Sequence, residues 1–238
     1  LFRLLRSRIQ QSSAGWRYAG VISQHSDENG IQQELFAQVV ELLMQRGLIL
    51  KRGTIVDSTF IEAPSSTKNE KKERDPEAHS AKKGNVWYFG YKAHIGVDKE
   101  SGLVHTVKVT AANEHDVTVT SELLTGDEEK SMGTAAISGG EATRSAEEEQ
   151  AGKSVHYKIN RRPSQSKKNS ARSQAQIKRR EHEKSSVRAK VEHVFAVVKL
   201  QLRFRKTRYQ GLQKQIAKMN IMFALANLIL ADRPCLAA

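Results

Sequence analysis

The chain has almost none of what builds disulfide-stapled, zinc-ribbon or membrane-spanning proteins. Its 238 residues include one cysteine, Cys235, which excludes a disulfide framework and a cysteine-rich zinc site and fits a reducing compartment. No second His or Cys stands at ligand spacing from His94 or His115, so both read as structural or phosphate-proximal residues rather than zinc ligands. No run of about 18 apolar residues is present to cross a bilayer, and the N-terminus lacks the apolar segment of a secretory signal. The first residue is Leu1 rather than methionine, which is expected of a fragment.

What is present is positive charge, unevenly placed. Hydrophobic residues make up 38% of the chain, enough for a real core, and the net charge is +13. Between Lys153 and Arg208 there are 18 Lys and Arg against 3 Glu, whereas the remainder carries 21 basic and 23 acidic residues. That one segment therefore holds all the excess positive charge, as neutralisation of phosphates with counterion release requires. Basic structural proteins share this composition, so the charge points to nucleic acid without naming a reaction.

Hydrophobic periodicity sketches the organisation. Residues Leu1 to Gly30 show no sustained period. Leu35, Val39, Leu42 and Leu43 predict an amphipathic helix over Ile31–Arg46, closed by Gly47 as its C′ residue. Leu48–Leu50 reads as extended, and the β-branched run Thr54–Ile61 reads as a central strand. Pro64–Gly84 is polar and predicts a long surface loop. Val86–Val97 and Leu103–Thr110 predict a hairpin joined by Asp98–Gly102. Val117–Leu124 predicts a short helix and Val155–Ile159 a strand. The basic linker Asn160–Lys178 follows, and Gln213–Leu230 predicts a mostly buried helix. This order is that of an α/β domain with a mixed sheet. Trp87, Tyr88, Phe89 and Tyr91 read as strand core, with base stacking as the competing role.

Two features carry chemistry. In Ser185–Lys199, at about 100° per residue, Glu192 lies about 40° and Lys199 about 20° from Arg188, one carboxylate between two cations. Val187, Val191, Val194, Phe195 and Val198 form a separate apolar stripe for packing. Taken alone, this reads first as a solvated salt-bridge helix. Asp57 sits inside the apolar strand, where a carboxylate is expensive to bury unless paired or bound to a cation; a strand-end residue facing solvent is the alternative. A two-metal nuclease site needs carboxylates from distant elements converging on cations, and Asp57 and Glu192 are candidate arms of one. Arg161, Arg162, Arg203, Arg205, Lys206 and Arg208 are candidate DNA-backbone contacts, or else parts of a solvated tail.

Several ordered motifs resemble the DDE transposases of bacterial insertion sequences, specifically the insertion-sequence-five family. They are Gly53-Thr54-Ile55-Val56-Asp57-Ser58-Thr59, Ala63–Asn69, Trp87–Asp98, Thr110–Asp116, Arg188 through Lys199 and Leu225-Ala226-Asn227-Leu228. The likeness covers roughly Ile31 to Ala238. It implies a ribonuclease-H-like mixed sheet flanked by helices. It also implies Mg2+ (or Mn2+), with Asp57 as the first catalytic carboxylate and metal ligand and Glu192 as the third. Arg188 and Lys199 match the cations of the family's tyrosine, arginine, glutamate, lysine signature, whose tyrosine position holds Ser185. The implied partners are terminal inverted repeats and target DNA, with no membrane and with a homodimer as the candidate assembly. The implied location is the bacterial cytoplasm, at the nucleoid.

The departure lies at the second carboxylate, where Thr134 stands at the expected aspartate. A neutral hydroxyl substitutes poorly for a charged magnesium ligand. The surrounding Ser131–Gln150 loses the family pattern, so the fourth strand is expected to be degraded and this copy catalytically impaired, with a local reading-frame disturbance as the cause. The expected division is 1–50 as a remnant helical region and 51–238 as the catalytic domain with its basic linker and C-terminal helices.

Overall fold

The computed structural model describes residues 30–50, 52–68, 72–124, 130–133, 156–159, 179, 182, 186 and 189–232. Ile31–Gln45 forms α1, and its end follows from chain chemistry. Gly47 takes φ +68, and the Gly47 and Leu48 amides donate to the Met44 and Leu43 carbonyls at 2.9 Å each. This is the glycine-capped closure predicted from the sequence.

The sheet is built around Thr54–Glu62 (β1), whose β-branched residues suit a strand with neighbours on both sides. On one side β1 pairs antiparallel with Val86–Asp98 (β3), Thr54 opposite Asp98 and Glu62 opposite Gly90. β3 pairs antiparallel in turn with Val104–Ala111 (β4), as the predicted hairpin. On the other side β1 pairs parallel with Lys130–Gly133 (β5), and β5 with His156–Ile159 (β6). Three antiparallel strands followed by two parallel ones, flanked by helices, are consistent with the ribonuclease-H-like fold expected above.

Three local readings need correction. The polar stretch Pro64–Gly84 is not all loop, because His79–Lys83 (β2) pairs with the start of β3. Its side chains are largely exposed, so no alternation of apolar residues marked it. Leu48–Leu50 forms no strand. The strand expected to be degraded is short but formed, since β5 bonds to both β1 and β6 through backbone groups that every residue carries.

Helices cover both faces. Asp116–Leu123 (α2) packs Val119 and Leu123 on Val56. The opposite face carries the main core, where Ile55, Ile61, Tyr91, Ile95 and Val97 meet α1, the helix 189–196 (α3) and Leu212–Ala231 (α4). α1 contributes Phe36, Val39, Val40 and Leu43 to this same core. Gly90 allows the close pairing at the end of β1. Its φ is +149, and a Cβ there would lie 2.1 Å from the Ile61 carbonyl oxygen.

Candidate functional site

Side chains alternate along a strand, so Ile55, Asp57, Thr59 and Ile61 share one face of β1. Across the register they lie opposite Val97, Ile95, Ala93 and Tyr91, all four fully buried. Asp57 is thus a carboxylate in the row of a hydrophobic face, 9% exposed. Its Oδ1 accepts the Ser58 amide at 2.9 Å.

α3 packs on that same face, and two lysines fix its direction. Lys199 Nζ donates to Thr59 Oγ1 at 2.5 Å. At the other end, Lys190 Nζ donates to the Lys99 and Glu100 carbonyls at 2.8 and 2.7 Å. The Lys99 amide donates to the Gly53 carbonyl at 2.8 Å, tying that turn to the start of β1. α3 therefore runs parallel to β1, with Lys190 near Gly53 and Lys199 near Thr59. Glu192 lies seven residues before Lys199, about 10 Å along a helix axis at ~1.5 Å per residue. Asp57 lies two residues before Thr59, about 7 Å along a strand at ~3.3 Å per residue. The two carboxylate-bearing backbone positions are thus close in level on one face. Val191, Val194 and Val198 are buried while Glu192 is exposed, as the two-stripe pattern predicts.

Lys199 is half-buried. Burial lowers its pKa, repulsion from Lys83 lowers it further, and Glu62 opposes both. It stands in a π-helical turn, Val197–Gln201, where the Leu202 amide donates to the Val197 carbonyl at 2.8 Å. Such turns recur at functional sites.

Beyond the π turn, residues 203–209 form a strap pinned at several points. The Phe204 amide donates to Val198 at 3.0 Å, the Thr207 amide to Glu62 at 2.8 Å, and Gln215 Nε2 to the Tyr209 carbonyl at 2.6 Å. Arg203 is held at φ +51, a conformation costing a non-glycine residue on the order of 1–2 kcal/mol. Arg203, Arg205, Lys206 and Arg208 are exposed, and among the described residues none forms an ion pair. The sequence-predicted cations of this segment are therefore brought together on one strap. Arg188, Arg161, Arg162, Ser185 and Thr134 lie outside the described residues. β5 runs parallel to β1 with Ile55 beside Met132, and Gly133 ends it one residue before Thr134.

Asp57 and Glu192 are hard oxygen donors, the chemistry that magnesium selects. Among the described residues no group of three or more His, Cys, Asp or Glu side chains could hold a metal ion. Asp57 and Glu192 supply two carboxylates on neighbouring elements, which fits part of such a site.

Other candidates resolve singly. His94 is buried, with Nε2 2.9 Å from Thr110 Oγ1 and Nδ1 3.7 Å from Asp116 Oδ1. Desolvation, with Lys92 and Lys108 acting against the opposing pull of Asp116, lowers its pKa to about 4, so the ring is neutral at pH 7. His115 precedes α2 and is exposed. Tyr91 is core as read, but Trp87 is 68% exposed near the turn of the β2–β3 hairpin, with Lys82 Nζ 6.0 Å from its ring centre. The strand pattern alone could not tell the hairpin's free end from its covered end.

Two residues escaped the sequence reading. Asp75, within the supposed surface loop, is buried and accepts Tyr91 Oη at 2.6 Å and the Gly211 amide at 3.0 Å. Lys218 is buried in α4; its only sequence signal is a lone charge within a stretch of helix that is otherwise largely apolar.

No described helix is long and apolar enough to cross a membrane. No solved structure matches the chain. The family described as "Transposase DDE domain" matches residues 49–228, from just before β1 to near the end of α4. With most of its 238 residues matched in one span, the chain belongs to the transposase DDE domain family.

Proposed function

We propose that this chain, which its family ties to DNA transposition, is an insertion-sequence transposase of the insertion-sequence-five type that binds element ends but cleaves them poorly. Residues 51–238 serve as its catalytic domain. Its partners are terminal inverted repeats and target DNA in the bacterial cytoplasm, engaged by a homodimer holding two ends. One observation carries the reading. The helix bearing Glu192 and Lys199 lies parallel to β1 on the face that presents Asp57, tied there by Lys199 to Thr59.

In this scheme Asp57 and Glu192 would hold Mg2+ or Mn2+, which when bound would supply Lewis acidity to an attacking water or 3′-hydroxyl and to the leaving oxygen. Asp57 is kept in place by the β1 row and the Ser58 amide. Lys199 offers a cation beside the acidic pair for a strand phosphate. Arg188, Arg161, Arg162, Arg203, Arg205, Lys206 and Arg208 position the backbone.

Impairment follows from Thr134, whose neutral hydroxyl stands where the family's second aspartate belongs. The same substitution favours a second reading, a DNA-binding remnant without cleavage. Incubating a terminal-repeat duplex with and without magnesium separates the readings. Slow nicking that Asp57→Ala abolishes supports the enzyme, and a gain with Thr134→Asp supports the stated cause of its weakness. End-specific binding without nicking supports the remnant. Binding without preference for element ends leaves only a basic nucleic-acid-binding protein and overturns both.

A further inference from the structure

We infer that the cleft between the 203–209 strap and α4 is a phosphate pocket, with Lys218 at its floor and Arg203, Arg205, Lys206 and Arg208 at its rim. The cleft measures about 870 Å³. Its source of phosphate, a nucleic-acid strand, rests on the function proposed above; the pocket itself does not.

Lys218 is the unexpected member. It is 6% exposed on a helix whose neighbouring positions Ala217, Met219, Ile221 and Met222 are buried. Among the described residues it makes no hydrogen bond or ion pair, yet it lines the cleft. An ammonium group largely withdrawn from water with no carboxylate partner is costly. Burial accordingly lowers its pKa. A helix serving only as core would place methionine or leucine there. A fixed cation facing a cleft is suited to an anion that enters it.

The rim supports the same ligand. Four more cations line the cleft without described ion-pair partners, and every charged residue of its described lining is cationic. The strap that carries them is pinned to α3, β1 and α4 by the hydrogen bonds given above. Arg203 keeps a side chain at a backbone conformation that glycine would adopt without strain. Phe204 and Tyr209 supply half-buried aromatic walls between the cations. Several cations and two rings suit a phosphate linked to a base better than a lone carboxylate.

The test uses the full chain and measures acetylation of each lysine by mass spectrometry, with inorganic phosphate and a 20-base-pair DNA duplex as separate probes. Lys218 is expected to react about fivefold more slowly in the presence of either. Lys218→Met should weaken duplex binding about five- to tenfold and lower the slope of log affinity against log salt by about one. Lys218→Arg should retain most of both. A purely structural lysine predicts a lower melting midpoint for Lys218→Met, whereas a pocket lysine predicts an unchanged or higher one. Protection by phosphate without protection by DNA keeps the pocket, assigns it to a free phosphate compound and counts against the proposed DNA role. Protection by DNA alone assigns the pocket to the strand. Unchanged Lys218 reactivity with both probes overturns the inference, as does a Lys218→Met variant with wild-type affinity and salt slope.

Discussion

Lys199 and Thr59 join a π-helical turn to the central strand through a 2.5 Å hydrogen bond, and this contact sets α3 on the face of β1 that presents Asp57. The lysine occupies an unfavourable place for a cation, half out of water and repelled by Lys83. Position and direction of α3 do not depend on it alone, because Lys190 anchors the other end.

Lys199→Met should therefore fold at least as well as the parent while losing function. Any magnesium-dependent nicking is expected to fall on the order of 100-fold, the scale of losing one group that stabilises charge at a reacting phosphate. The pH dependence gives an independent reading. With the folded pKa lowered, the unfolded chain binds more protons just below the ordinary lysine value of 10.5, so stability rises with pH through that window. Denaturant titrations across pH 8 to 10.5 should show a shallower rise for Lys199→Met. Identical slopes would contradict the burial of the ammonium.

The elements that were legible in the sequence share one property. Where a side-chain pattern meets a buried face, as in α1, β1, the β3–β4 hairpin and α4, the structure follows the reading. The misses are elements held by backbone or by scattered polar contacts. β2 has no buried alternation, and β5 is four residues long. The pairing of Asp57 with the Glu192 helix was suggested by family motifs, but its parallel direction depends on Lys190 reaching the turn beside the start of β1 and Lys199 reaching Thr59. No spacing rule encodes that. Lys218 was invisible because a single charge in an apolar helix ordinarily reads as a snorkelling surface residue.

Asn227 does for β4 what a neighbouring strand would do. Its Oδ1 accepts the Val104 amide at 2.8 Å and its Nδ2 donates to the Val104 carbonyl at 2.7 Å, with the side chain fully buried. Asn227→Leu leaves both backbone groups unpaired away from water, at about 1–3 kcal/mol each. A loss of about 3 kcal/mol should lower the melting midpoint by roughly 6–12 °C. Asn227→Asp should cost a similar amount by setting a carboxylate against the Val104 carbonyl. Calorimetric midpoints within a degree of wild type would show that the bidentate contact is dispensable.

Tyr91 and Asp75 bind the loop before β2 to the start of α4. Burial raises the Tyr91 pKa first, and the Asp75 carboxylate beside it raises it further. The folded chain therefore keeps a proton that the unfolded chain releases above pH 10, and stability from this source falls as pH rises beyond that value. Tyr91→Phe should remove this part of the alkaline loss. Absorbance titration of the 5 tyrosines should show one fewer group titrating only on unfolding. A Tyr91→Phe variant with unchanged alkaline unfolding would refute the assignment.

His94 makes the corresponding prediction in acid. Its folded pKa of about 4 lies below the ordinary 6.5, chiefly because burial disfavours the imidazolium; Lys92 and Lys108 add to this and Asp116 opposes it. As pH falls below 6.5 the unfolded chain takes up a proton that the folded chain refuses until about pH 4. The stability contributed by neutral His94 is therefore present above 6.5 and lost between 6.5 and about 4. A shift of this size corresponds to about 3 kcal/mol. His94→Gln keeps a hydrogen-bonding group for Thr110 but cannot be charged, so its stability should fall less steeply over that range. Carboxylates contribute to both proteins and cancel in the comparison. Urea unfolding at pH 7, 5.5 and 4 measures the difference. Parallel curves for the two proteins would mean that the buried ring accepts its proton without penalty, contrary to its burial beside Thr110.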